Sequence, residues 1–162
     1  MNKKETVLSV LKDIRGLLNP QTVNVTVKAD GRFTDNGDGT ITDTKTGLML
    51  VKNPHTDLPD NFKKELNWKD AIQACKELNF AGYKDWRLPT IEELASLVDY
   101  SKREPAIDTE AFPDTKSSWY WSSTPVAGSV GFAWYVYFYG GGVGDGFYKN
   151  SSGYVRPVRA SQ

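Results

Sequence analysis

The chain is short of the groups on which enzymes and compartment-specific proteins depend. Its 162 residues include one cysteine, Cys75, and one histidine, His55. A lone cysteine forms no intrachain disulfide, so nothing in the sequence calls for an oxidising compartment. Nucleophilic catalysis needs a Ser or Cys activated by a base, yet Cys75 and His55 are far apart and neither lies in a known motif. Net charge is missing too: 20 Lys and Arg cancel 20 Asp and Glu, and no basic run stands out. Neither nucleic acid nor an anionic membrane is an expected partner. Mean hydropathy is negative and no long apolar run occurs, which excludes membrane insertion by a spanning helix. Met1 to Glu5 begins basic, but the apolar positions that follow are interspersed with polar ones and no small-residue cleavage site appears. Cytoplasmic synthesis without a signal peptide is therefore expected. The glycine run from Gly140 to Gly146 closes no G-x-G-x-x-G register and no Gly-Lys-Ser/Thr follows, so it is not a nucleotide loop. No cofactor and no catalytic group are expected.

What the sequence does hold is an aromatic strand followed by glycine. In Ala133 to Tyr139 side chains alternate across a strand, placing Trp134, Val136 and Phe138 on one face and Tyr135, Tyr137 and Tyr139 on the other. The first face reads as core and the second as display. Gly140-Gly141 suits a two-residue type I′ turn, whose central positions need positive φ. That turn would pair Tyr139 with Gly142, Tyr137 with Gly144 and Tyr135 with Gly146, an aromatic row beside an open backbone floor. It would also set Phe138 opposite Val143 and Trp134 opposite Phe147, which fits, but Asp145 opposite buried Val136, which does not and asks for a bulge near Gly144. The tyrosines then either cover exposed glycine backbone, as aromatic residues do in sheets, or form a binding surface with the chemistry of antibody paratopes. The second reading is favoured. The candidate ligand-binding residues are Tyr135, Tyr137, Tyr139, Gly140, Gly142, Gly144, Asp145, Gly146, Phe147, Tyr148, Asn150 and Ser151.

Upstream, residues 2 to 18 read as a helix with Val7, Val10, Ile14 and Leu17 at a and d spacing and Leu11 and Leu18 beside them. Residues 1–20 form an N-terminal helix and possible oligomerisation segment, and 21–162 a ligand-binding domain. Two heptads fall short of a sustained coiled coil. Self-association and packing onto the chain's own domain both remain open, with avidity favouring a homo-oligomer. Asn19-Pro20 ends the helix, and Val23, Val25 and Val27 mark a half-buried strand. Further strands are expected at Gly39 to Asp43 and Gly47 to Lys52. The Asp35 to Asp43 turn partly matches a calcium loop, but aligned on Gly39 its first position holds Thr34 and its twelfth Lys45. A hairpin turn is favoured over calcium. His55 falls in an expected surface loop and reads as solvated. One helix should start at the N-cap Asn67 and bury Trp68, Ala71, Ile72, Cys75 and Leu78. A second should open at the capping box Thr90-Ile91-Glu92-Glu93 and bury Ile91, Leu94, Leu97 and Val98, which also accounts for the adjacent carboxylates.

The string Gly82 to Thr90, with Asp38 to Asp43 and Thr46 to Met49 before it, resembles the family of the C-terminal domain of a Legionella collagen-like adhesin. Trp119 to Thr124, Ala133-Trp134 and Tyr154 to Arg159 extend the likeness across residues 30 to 160. The resemblance implies an α+β, C-type-lectin-like fold: two helices and a twisted antiparallel sheet displaying a ligand surface. Many lectin-like members pair a helix cysteine with one near the C-terminus, where Pro157 stands here. A narrower resemblance is to the variable proteins of diversity-generating retroelements, whose AAY codons are randomised at adenines near the C-terminus and never yield Glu, Gln, Lys, Met or Trp. From Pro125 to Gly153 only Trp134 and Lys149 belong to that excluded set. Those two, with Val136, Phe138, Gly141 and Val143, would be fixed scaffold. The implied role is receptor recognition, on a phage or prophage tail or a cell surface, with a protein or carbohydrate ligand; a fixed carbohydrate-binding lectin is the alternative. Formylglycine-generating enzymes share the fold and an Arg-Leu-Pro-Thr string, but their cysteine chemistry has too few cysteines here.

Overall fold

The computed structural model describes residues 31–161. The expected N-terminal helix and the strand at Val23 to Val27 lie outside them. The described chain is α+β, with two antiparallel sheets and two α-helices. The first sheet holds β1 (Phe33–Asp35), β2 (Thr40–Asp43), β3 (Leu48–Val51) and β7 (Val158–Ala160), in that order; the second holds β4 (Trp119–Pro125), β5 (Phe132–Tyr137) and β6 (Gly142–Tyr148). α1 (Trp68–Glu77) and α2 (Ile91–Ala95) lie between the sheets in sequence.

Side-chain alternation divides the core into two layers. In β3, Met49 and Val51 enter one cluster while Leu48 and Leu50 enter the other, which is why this strand is apolar throughout: both its faces are covered. β4 splits likewise, sending Trp121 to the first layer and Tyr120 to the second. α1 supplies Ala71, Ala74 and Cys75 to the first layer, and α2 supplies Ile91 and Leu94 to the second.

Both helices begin where their caps require. Asn67 accepts a hydrogen bond from the Asp70 amide at 2.9 Å, and Thr90 and Glu93 form a reciprocal capping box. Trp68, Ile72 and Val98 are only half-buried, whereas Ala74 joins the core. The Ile91 amide donates to Thr124 Oγ1 at 3.0 Å, fastening α2 to β4. The β1–β2 turn keeps its carboxylates for itself. Asp35 pairs with Lys52, Asp38 accepts from Thr40, and Asp43 holds Arg32 and Thr46.

His55 is not solvated; the expectation fails because the loop folds inward. The residue is 6% exposed. Nδ1 lies 2.9 Å from the Phe62 carbonyl, which can only accept, so Nδ1 carries the proton. Nε2 then accepts from the Tyr120 hydroxyl at 2.7 Å, and that oxygen in turn accepts from the Lys116 amide at 2.8 Å. Burial lowers the His55 pKa below its ordinary value and pushes the Tyr120 phenol up to about 12. Arg156 is fully buried beside them, donating to Thr115 Oγ1 at 2.6 Å with its guanidinium 4.8 Å from the centre of the Phe112 ring.

Candidate functional site

The β5–β6 hairpin departs from the two-residue turn. Tyr137 pairs with Gly142, Val136 with Val143 and Tyr135 with Gly144, so residues 138–141 form the connection. Phe138 is the cause. Its ring is fully buried against Tyr120, centroids 5.1 Å apart and nearly perpendicular. Its amide donates to Ser118 O and its carbonyl accepts from the Ala106 amide. A residue committed to two neighbouring segments cannot also lead directly into a tight hairpin turn. Up to the bulge the ladder is therefore two residues out from the expected register, and an even shift keeps those side chains on their faces; beyond it the offset is one residue, so Phe147 faces Ala133 instead of Trp134. Val136 now faces Val143, which removes the conflict with Asp145. The extra residue of a bulge falls at Asp145–Gly146, between the Tyr135–Gly144 and Ala133–Phe147 pairs.

The tyrosine face is a packed row. Trp119, the cross-strand partner of Tyr137, stacks on it at 4.1 Å and 10°. Tyr139 lies nearly parallel to Tyr137 at 5.7 Å, and the Arg103 guanidinium sits 4.8 Å from the Tyr139 ring centre. Tyr135 meets Trp119 edge-on at 4.9 Å. All three tyrosines are half-buried, so the expected free display is instead a set of rings leaning on one another. A Cβ added at Gly144 would come 2.5 Å from the Tyr135 hydroxyl. Tyr135 thus covers that glycine, as the sheet-protection reading expects, whereas nothing lies within 4 Å of such an atom at Gly140, Gly142 or Gly146.

The other candidate residues divide. Phe147 joins the row through Tyr135 at 5.3 Å but stacks inward on buried Trp121 at 4.3 Å, making it the seam between row and core. Tyr148, 58% exposed, pairs with Phe132 on the opposite face, because the bulge separates it from the row. Asp145 and Asn150 are exposed and Ser151 is half-buried. Trp134 is half-buried rather than core. Two members of the row, Trp119 and Arg103, were not among the candidates. Trp119 was findable, since it opens the strand whose alternation sets it beside Tyr137; Arg103 comes from a loop whose course no local pattern reveals.

Chemically, the row offers ring edges, phenol hydroxyls and one guanidinium, a set suited to non-covalent contact. Cys75 is fully buried in the α1 layer, where burial raises its pKa. Among the described residues, no cluster of His, Cys, Asp or Glu could hold a metal ion, and no helix is long and apolar enough to cross a membrane.

Two of the strings that carry the sequence likeness, Gly82 to Thr90 and Tyr154 to Arg159, are fastened to each other. The Arg87 and Val158 backbones exchange both hydrogen bonds at 2.9 Å, and Arg159 grips Asp85 through Nε at 2.7 Å and Nη2 at 3.1 Å. The family model of the Lcl C-terminal domain matches residues 39–159. No curated protein matches the chain.

Proposed function

Since the chain belongs to the Lcl C-terminal domain family, we propose that it is a ligand-binding module of C-type-lectin-like fold whose target is met by the Trp119–Tyr135–Tyr137–Tyr139 row. One observation carries this reading: a continuous, half-exposed aromatic row lies on a sheet beside glycines with open space above them. Stiff aromatic side chains over an open backbone floor make large contacts at low entropic cost. Binding rather than catalysis is the role this chemistry supports.

Within that class we place the chain with the variable proteins of diversity-generating retroelements, displayed on a phage tail or cell surface. The two residues that adenine randomisation of AAY codons cannot produce hold structural posts. Trp134 packs against the α2 layer, and Lys149 donates to the Val130 carbonyl at 2.8 Å while lying 4.4 Å from the Trp68 ring centre. The rival reading, a fixed lectin stacking sugars on the tyrosines, asks for free ring faces. Trp119 covers one face of Tyr137 and Tyr139 lies parallel to it, which weighs against that reading. Sequencing the DNA beside the gene tests the proposal. A reverse transcriptase and a near-copy of the 3′ end differing only at adenines are expected, and their absence would leave a fixed binder.

A further inference from the structure

His55 is the chain's only histidine, and its hydrogen bonds lead from the core to the row. Its Nε2 accepts from the Tyr120 hydroxyl at 2.7 Å. Tyr120 follows Trp119 of the row in β4, and its ring meets Phe138 nearly edge-on at 5.1 Å. Phe138 opens the 138–141 connection, which carries Tyr139. Three backbone bonds tie that connection down: the Phe138 amide donates to Ser118 O at 3.0 Å, the Ala106 amide to Phe138 O at 2.7 Å and the Glu104 amide to Tyr139 O at 2.9 Å. The Tyr120 ring supports it from the core side.

We infer that His55 is an acid latch for this connection: its protonation drives Tyr120 from its place, the 138–141 connection loosens, and the Tyr139 end of the row comes free. If the row meets the target, as proposed above, binding is released in acid; that consequence rests on the proposed function, whereas the latch does not. Neutral His55 has both ring nitrogens matched, one to the Phe62 carbonyl and one to the Tyr120 hydroxyl. Protonation puts a second donor on the Tyr120 oxygen beside the Lys116 amide at 2.8 Å and leaves the hydroxyl hydrogen to find another acceptor. Charge acts in the same direction. The groups that face the ring are the Phe62 carbonyl, Tyr120 from β4, Asp114 and Lys116 from the segment before β4, and Tyr154 and Arg156 from the segment before β7. Of these only Asp114 is negative, and its Oδ2 already accepts from the His55 amide at 2.7 Å. Arg156 is fully buried and its Nε has no partner among the described residues, so a further cation beside it has no counter-charge of its own. The latched state therefore excludes the proton, while a state with the ring in water takes it up near the ordinary 6.5. Latching is complete above that pH and is lost as pH falls below it.

Hydrogen exchange of the full chain with nothing bound tests the latch, followed by NMR from neutral to acid pH and corrected for the intrinsic pH dependence of exchange. Protection at the Phe138, Ala106 and Glu104 amides should fall severalfold, while the amides of α1, packed in the other core layer, keep theirs. The His55 Hε1 resonance, unique in this chain, should titrate over the same interval. In His55→Gln, whose amide keeps a donor for Phe62 and an acceptor for Tyr120 but takes up no proton, the fall should vanish. Tyr120→Phe keeps the ring against Phe138 but removes the hydroxyl and should blunt the fall, an arm that stands even if His55→Gln does not fold. Titration of His55 with protection at Phe138 unchanged would overturn the inference. So would loss of protection at α1 together with Phe138, since acid would then be unfolding the whole domain. Against a target selected by panning at neutral pH, affinity should drop severalfold in acid for the native chain and not for His55→Gln. Loosening without that drop would support the latch and move the target away from the Tyr139 end of the row.

Discussion

Two of the strings that identify the family and the row proposed to meet the ligand are held by different physics. Asp85 to Thr90 and Val155 to Arg159 are locked by directional bonds: a reciprocal backbone pair at Arg87–Val158, a two-point grip of Arg159 on Asp85, and the Arg159 guanidinium 3.9 Å from the Tyr83 ring centre. The row is held by rings lying on rings. Directional bonds fix one geometry and fail if a partner changes, whereas a stack at a sheet surface can lose a ring without unpairing the backbone beneath. A scaffold that keeps its shape while its surface changes needs this division, and substitutions on each side of it should differ in kind.

The largest effect is expected in the scaffold. Phe138→Ala removes a fully buried ring and should cost about 3–5 kcal/mol in denaturant unfolding. Trp134→Ala should cost less, because that side chain is half-exposed. Equal losses at the two positions would mean that this face of the hairpin is buried along its whole length.

A second break is expected with acid. The His55 pKa is held below the ordinary 6.5, chiefly by burial. The unfolded chain therefore takes up that proton first, so the contribution is complete above pH 6.5 and is lost as pH falls from there through the folded-state value. The hydrogen bonds give the reason. A protonated Nε2 would donate to a Tyr120 hydroxyl that already accepts from Lys116 and would have to turn its own hydrogen away. Melting temperature should drop between pH 7 and pH 5 more steeply in the native chain than in His55→Gln, and parallel curves would contradict the assignment.

The connecting loop sharpens the comparison within a few residues. Gly141 has φ 81°, and a Cβ there would stand 2.5 Å from Val98 Cγ1. Gly141→Ala should cost about 1–3 kcal/mol. Its neighbour Gly142 has open space around the same atom, and Gly142→Ala should leave the unfolding midpoint nearly unchanged. A similar penalty at both positions would point to the loop backbone rather than to this one contact.

Much of the scaffold is legible in the sequence because local rules decide it. Asn67 and Thr90 announce their helices, and strict alternation sorts Val136 and Phe138 from Tyr135 and Tyr137 whatever the register. The register itself is not local. It turns on Phe138 finding Tyr120, Ser118 and Ala106, residues that no hairpin rule sees. His55 was misread for the same reason, since its partners Phe62 and Tyr120 are brought together only by the fold. In the candidate site the parity of the row could be read directly, but its packing depended on Trp119 and Arg103 arriving from other segments.

The smallest stability effects, and the largest effects on binding, are expected in the row. Tyr139→Ser should change stability by less than about 1 kcal/mol, as at other surface positions. Tyr137→Ser also loses the stack on Trp119 and should cost about 1 kcal/mol, the usual worth of an aromatic pair. Against a target identified by panning, the same changes should remove about 2 kcal/mol or more of affinity, as expected of aromatic hot spots. Calorimetric unfolding and equilibrium binding on one set of variants separate the two quantities. If Tyr137→Ser unfolded the chain as severely as Phe138→Ala, the row would be a second core, and the division between scaffold and surface would have to be redrawn with the tyrosines inside.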